Sequence, residues 1–144
     1  MKIPETLHKA IAQSINPSQS INHLERLAES RSHGMPWPEP LATRPELAGT
    51  LAHLLAWSVS CSNHLIRFPG DLDWLLQAHL LERPRHMTGL RNEYRSLVGK
   101  TAGDAAGRLA ILRRFKQREM LRIAFRDLGS MAGVEETTRR SEEH

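Results

Sequence analysis

Cys61 is the sole cysteine of the chain, so no internal disulfide can form. Its setting, LAWSVSCSNHLI, reads as a small residue buried on a helix, with no base or cation placed beside it to make a reactive thiolate. Aromatic residues are scarce, at 5%. Strand-favouring β-branched residues are sparse beside Leu, Ala, Arg and Glu, and this balance favours helix over strand. No apolar run reaches bilayer length. The longest, Leu47 to Val59, is interrupted by His53. The N-terminal MKIPETLHKAIAQSI scatters its apolar residues among charges and is no secretory leader, so the sequence predicts a cytoplasmic protein without a membrane span.

The motifs of chemistry are missing too. Eight histidines are spread along the chain, and none pairs with another at the HxxxH spacing that places two zinc ligands on one helix face. Gly99-Lys100-Thr101 resembles the end of a phosphate-binding loop, but no glycine stands five residues before Gly99. The only carboxylates close in sequence that invite a metal reading are Asp71 and Asp73, in PGDLDW. Two residues apart on a helix point to different sides. Because both follow Pro69-Gly70 and precede a helical Leu/Trp pattern, they are expected to cap a helix.

What is present is helical. With 144 residues, 40% of them hydrophobic, the chain suits one domain with a real core. Residues 4–15 and about 18–29 predict two short amphipathic helices. Residues 30–45, SRSHGMPWPEPLATRP, hold four prolines and form an extended strap pinned by Met35, Trp37 and Leu41. A long helix follows from Pro45 to about Phe68, with Thr43 as its cap and small residues that permit close approach of a neighbour. It is the expected central core helix. Further helices are expected from Asp71 to about Leu81 and from Thr88 to Gly99.

The most charged stretch is Gly103 to Leu128, expected to end at Gly129. Arg114, Arg118, Arg122 and Arg126 recur every four residues and form a ridge along a helix. Ala105, Leu109, Leu112, Met120, Ile123, Ala124 and Leu128 fall on the opposite arc, which is the face expected to be buried although Lys116 and Asp127 lie within it. Ile111, Phe115 and Phe125 lie among the arginines, which a purely solvated face would not require. Arg114, Arg118, Arg122, Arg126, Phe115 and Phe125 are therefore the candidate interaction residues, awaiting carboxylates or phosphates on a partner.

Residues 112–128, LRRFKQREMLRIAFRDL, followed by VEETTRR at 134–140, resemble the helical segment of the bifunctional glutamine synthetase adenylyltransferase/adenylyl-removing enzymes. That family carries a Leu-Arg-x-Phe-(basic)-x-Arg-x-Met-x-Arg-Ile-Ala-x-(Arg)-Asp-Leu pattern. Residues 54–76, LLAWSVSCSNHLIRFPGDLDWLL, are similar to an earlier segment of the same family, in the same order. The resemblance spans about residues 45–140 and implies relatives with two nucleotidyltransferase halves, one adding AMP to a glutamine synthetase tyrosine and one removing it by phosphorolysis. Magnesium and ATP or phosphate serve those catalytic domains. Their Gly-x-(Ser/Gly)-Asp-x-Asp motif has no counterpart here, so the resemblance implies a fragment or a truncated relative with no catalytic, metal or cofactor residues of its own.

The expectation is an all-α bundle of five to seven helices with a Pro-rich strap. Residues 1–32 supply N-terminal helices of no assigned role, and residues 33–144 a helical scaffold domain. The implied function is a non-catalytic docking segment whose partner is a nucleotidyltransferase domain in cis or in trans, with glutamine synthetase as a second candidate partner. The alternative is a small basic helical module for nucleic acid or protein. A net charge of +4 makes nucleic acid the lesser expectation.

Overall fold

The structure, a computed structural model, describes residues 3–31, 34–77, 91–92, 95–96 and 105–142, with side chains of the last helix described as far as Gly129. Seven helices have described bounds: α1 (Glu5–Ala12), α2 (Pro17–Arg31), α3 (Glu39–Thr43), α4 (Pro45–Trp57), α5 (Val59–Arg67), α6 (Gly70–Leu75) and α7 (Ala105–Glu142). No strand occurs among the described residues, and the fold is an all-α bundle. The helix expected at 71–81 is shorter: it ends at Leu75, with Leu76 as its C-cap. Most of the helix expected at 88–99, and the turn expected at 100–104, lie outside the described residues.

Helix α4 is the hub. It packs against α1, α2, α3, α5 and α7. Surrounded in this way, it buries Leu47, Ala48, Thr50, Leu51, Ala52, Leu54, Leu55 and Ala56, more than one amphipathic stripe. Leu7, Ile11, Leu24 and Leu27 of α1 and α2 join the same core as Leu65, Leu72, Leu75, Leu121 and Phe125.

The single helix expected over 45–68 is two. The chain breaks at Ser58, whose extended backbone (φ −117°, ψ 105°) lets its hydroxyl accept a hydrogen bond from the Cys61 backbone N–H and cap α5. A break inside a core exposes the last carbonyls of α4, which need donors. Helix α2 supplies them. The Gln19 amide donates to the Ala56 carbonyl at 2.6 Å, and His23 Nδ1–H donates to that of Leu55 at 2.7 Å. Ser20 Oγ donates to Ala52 at 2.9 Å, and Ser30 Oγ does the same for Ile66 near the end of α5 at 2.6 Å.

The strap is extended over Met35–Pro38 and then turns once as α3, with Pro40 in the first turn, where its missing N–H costs nothing. Gly34, at φ +86°, starts it in a conformation that glycine adopts without a Cβ clash. Thr43 does not cap α4. It donates within α3 to the Glu39 carbonyl at 3.3 Å, and the N-cap position falls to Arg44.

Helix α7 departs furthest from expectation. It does not stop at Gly129 but continues to Glu142. One internal glycine costs a helix only about 1 kcal/mol relative to alanine, too little to end it. Its buried face is also largely the other one, although Ala124 and Leu128 of the expected arc do pack against the core. Glu119, Leu121, Arg122 and Phe125 are buried, whereas Leu109, Met120 and Ile123 are exposed, Met120 by 69%. Periodicity alone could not choose between faces that both carry apolar groups. The choice was made by Leu121 and Phe125, which meet the α4 core, and by what the arginines find there.

Candidate functional site

The arginines of α7 find Asp71. Helix α6 presents this carboxylate from its first turn, and its residue is buried. Arg114 grips it with both ends of its fork, Nη1 to Oδ2 at 2.5 Å and Nη2 to Oδ1 at 2.8 Å. His64 of α5 reaches the same oxygen, Nε2 to Oδ2 at 2.6 Å. Arg114 Nη1 also lies 3.3 Å from His64 Nε2. An ionised carboxylate oxygen can only accept, so Nε2 carries a proton and donates it to Asp71; with no lone pair left there for the guanidinium, the arginine–histidine approach is a by-product of sharing one acceptor. Arg118 completes the set, with Nε 3.7 Å from Oδ1. The site thus joins α5, α6 and α7, segments up to 50 residues apart in sequence.

Two aromatic rings shelter it. The Arg114 guanidinium lies over the Phe68 ring at 3.6 Å, and that of Arg118 over Trp74 at 4.0 Å. Arg67 lies 5.2 Å from the same Phe68 ring. Burial pushes the Asp71 carboxyl up. The hydrogen bonds from His64 and Arg114 and the charges of Arg114 and Arg118 more than offset this, and hold it below the ordinary carboxylate value. Burial likewise pulls the Arg118 guanidinium down, against the opposing pull of Asp71.

Asp73 faces the other way. It takes both ends of Arg31, Nη1 at 2.9 Å and Nη2 at 3.2 Å. The same guanidinium donates to the Pro69 and Pro36 carbonyls, both at 2.6 Å, and lies 5.3 Å from the Trp37 ring. Arg31 thereby ties the end of α2 to the strap and to α6. The two aspartates are therefore not helix caps: α6 has no side-chain cap, and each carboxylate is the anchor of a separate ion pair. They do not converge on a common point, as two ligands of one metal must. Among the described residues no group of three His, Cys, Asp or Glu side chains is placed to hold a metal ion.

The six candidate interaction residues scatter. Arg114 and Arg118 are drawn onto Asp71. Arg122 is buried and pairs with Glu119 at 2.9 Å, and Phe125, only 2% exposed, belongs to the core. Arg126 and Phe115 are half-buried. The ridge is thus largely folded inward, because a buried carboxylate beneath it solvates cations better than an apolar core does. Sequence reading missed His64 and Arg31 as partners. The one available signal was two aspartates in a chain with surplus arginine, which fixes the chemistry but not the pairing.

Fold and site together define an all-α bundle whose long last helix is locked to the core through a buried carboxylate. The chain belongs to the glutamate-ammonia ligase adenylyltransferase family, whose model matches residues 48–141, a span that holds Asp71 and all its partners. It is 27% identical over 133 residues to a bifunctional glutamine synthetase adenylyltransferase/adenylyl-removing enzyme of Neisseria meningitidis serogroup B, covering 92% of this chain and 15% of that protein. It is 35% identical over 101 residues to the protein of the same description from Thioalkalivibrio sulfidiphilus, covering 70% of this chain and 9% of that protein. The chain therefore spans a small part of the length of its relatives. No solved structure matches it. Among the described residues no helix is long and apolar enough to cross a membrane.

Proposed function

We propose that this chain is a non-catalytic helical scaffold of a glutamine synthetase adenylyltransferase/adenylyl-removing enzyme, and that it seats a nucleotidyltransferase domain. The observation that carries the reading is the outward face of α7. Leu109, Met120 and Ile123 lie within about 60° of one another around the helix and are exposed. A groove of about 360 Å³ between α5 and α7 adjoins this face, with Met120, Ala124 and Cys61 beside the polar Ser58, Asn63 and Gln117 in its lining. Trp57 and Val59, which flank Ser58, are exposed beside it, Trp57 by 66%. Lys116 and Asp127 are exposed on the same face, and large apolar groups exposed together among charges mark a surface that another body covers. The length of the relatives makes the rest of such an enzyme the natural body. The Arg114–Asp71 lock has a place in this scheme, since it fixes which face of α7 looks outward.

The test is a chimera in which this chain replaces the matching segment of the Neisseria meningitidis enzyme. The chimera is expected to retain both AMP transfer and AMP removal on glutamine synthetase. Met120→Asp with Ile123→Asp is expected to reduce both activities at least about tenfold while leaving the isolated chain folded. A double variant as active as the parent chimera would refute the docking role. The nucleic-acid alternative loses ground, because two cations of its stripe are engaged by Asp71 and a third by Glu119.

A further inference from the structure

Arg114 and Arg118, together with two arginines that Asp71 does not engage, surround a second feature. Between the end of α5 and α7 lies a cleft of about 620 Å³ lined by Arg67, Phe68, Ala110, Ile111, Arg113, Arg114, Phe115, Gln117 and Arg118. Four of these side chains are guanidinium groups and none is a carboxylate. The carboxylates that act on the cluster are Asp71, held bidentately by Arg114, and Glu119, already engaged by Arg122. Among the described residues, five guanidiniums thus share two carboxylates. Arg118 makes no hydrogen bond through its buried Nε, and its contact with Asp71 is a 3.7 Å ion pair. Arg67 and Arg113 are exposed.

We infer that this cleft binds a small organic phosphate. Planar guanidinium forks match phosphate oxygens two at a time, and several of them around one cavity suit a ligand with more than one negative charge. Ile111 and Phe115 give the cleft an apolar wall for the rest of the molecule. The volume falls in the range of small-molecule sites, about 300–1,000 Å³. An extended acidic segment would need a longer row of cations, and the row ends here: Arg122 is turned into the protein. An anion in the cleft also relieves repulsion among like charges that outnumber the carboxylates among the described residues. The same cleft accounts for Ile111 and Phe115 lying among arginines. The inference rests on the cleft and not on the scaffold role, so either can fail alone.

The test is calorimetric titration of the chain with ADP, pyrophosphate, inorganic phosphate and a tetraglutamate peptide, with melting curves in parallel. ADP and pyrophosphate are expected to bind and to raise the melting temperature, at least about tenfold tighter than inorganic phosphate, and more weakly as salt rises. Arg67→Ala with Arg113→Ala removes two exposed cations, so circular dichroism should not change and affinity should fall at least about tenfold. Arg113→Lys should recover part of it, since the charge stays and the fork is lost. Absence of binding at millimolar ADP and pyrophosphate would overturn the inference. So would binding that the double variant leaves intact, or tetraglutamate binding as tightly as ADP.

Discussion

Asp71 is the residue on which the geometry of the last helix turns. It sits under two arginines and a histidine, and its carboxyl is held below the ordinary value, so its ionised form is favoured by folding. A depressed folded value contributes stability that is present above the unfolded carboxylate value of about 3.9 and is lost as pH falls through the folded one. Asp71→Asn should therefore destabilise the chain at pH 7 by about 1–3 kcal/mol, below the cost of orphaning a fully buried cation because Arg114 retains access to water. The gap to the unsubstituted chain should narrow as pH drops below about 4. Urea denaturation at pH 7 and pH 3 checks both statements, and an equal gap at the two pH values would count against the ion-pair account. PGDLDW was legible in sequence as a special place, but its reason was not. A carboxylate in a first turn looks the same whether it caps its own helix or holds an arginine that lies 43 residues away.

Elements were legible in proportion to how local their causes are. The N-terminal helices, the extended start of the proline strap and the centrality of the stretch that begins at Pro45 follow from periodicity and from proline, whereas the helical turn at Glu39–Thr43 within the strap was not foreseen. The break at Ser58 does not follow either, because it depends on Gln19 and His23 of another helix satisfying the carbonyls it frees. The orientation of α7 was misread for the same reason. Both faces are apolar enough to be buried, and the decision rests on Asp71 and on the α4 core. Two substitutions test it. Phe125→Ala should cost about 3–5 kcal/mol, and Met120→Ala should stay within about 0.5 kcal/mol of the parent by urea denaturation. Equal costs would mean that the arc is buried after all. Gly129→Ala tests the uninterrupted helix. The added Cβ would meet Thr50 Oγ1 at 3.6 Å, an ordinary contact, so the change should stabilise by about 0.5–1 kcal/mol, and a loss would point to a helix end at this glycine.

The molecule is a bundle with one long helix whose inner side is closed by ion pairs and leucines and whose described outer side exposes Leu109, Met120 and Ile123 among charged residues such as Lys116 and Asp127. Family membership was legible from residues 112–128 because that motif records both sides of the helix at once: the arginines that lock it inward and the Met120 and Ile123 that it shows outward. Which side does which was not legible until Asp71 was placed. The most direct measurement is thiol labelling of Met120→Cys in a Cys61→Ser background, on the isolated chain and within the full-length chimera. The account predicts rapid labelling in the isolated chain, close to that of a free thiol, and protection of at least about tenfold in the chimera. Slow labelling in the isolated chain, or labelling equally fast in both, would contradict it.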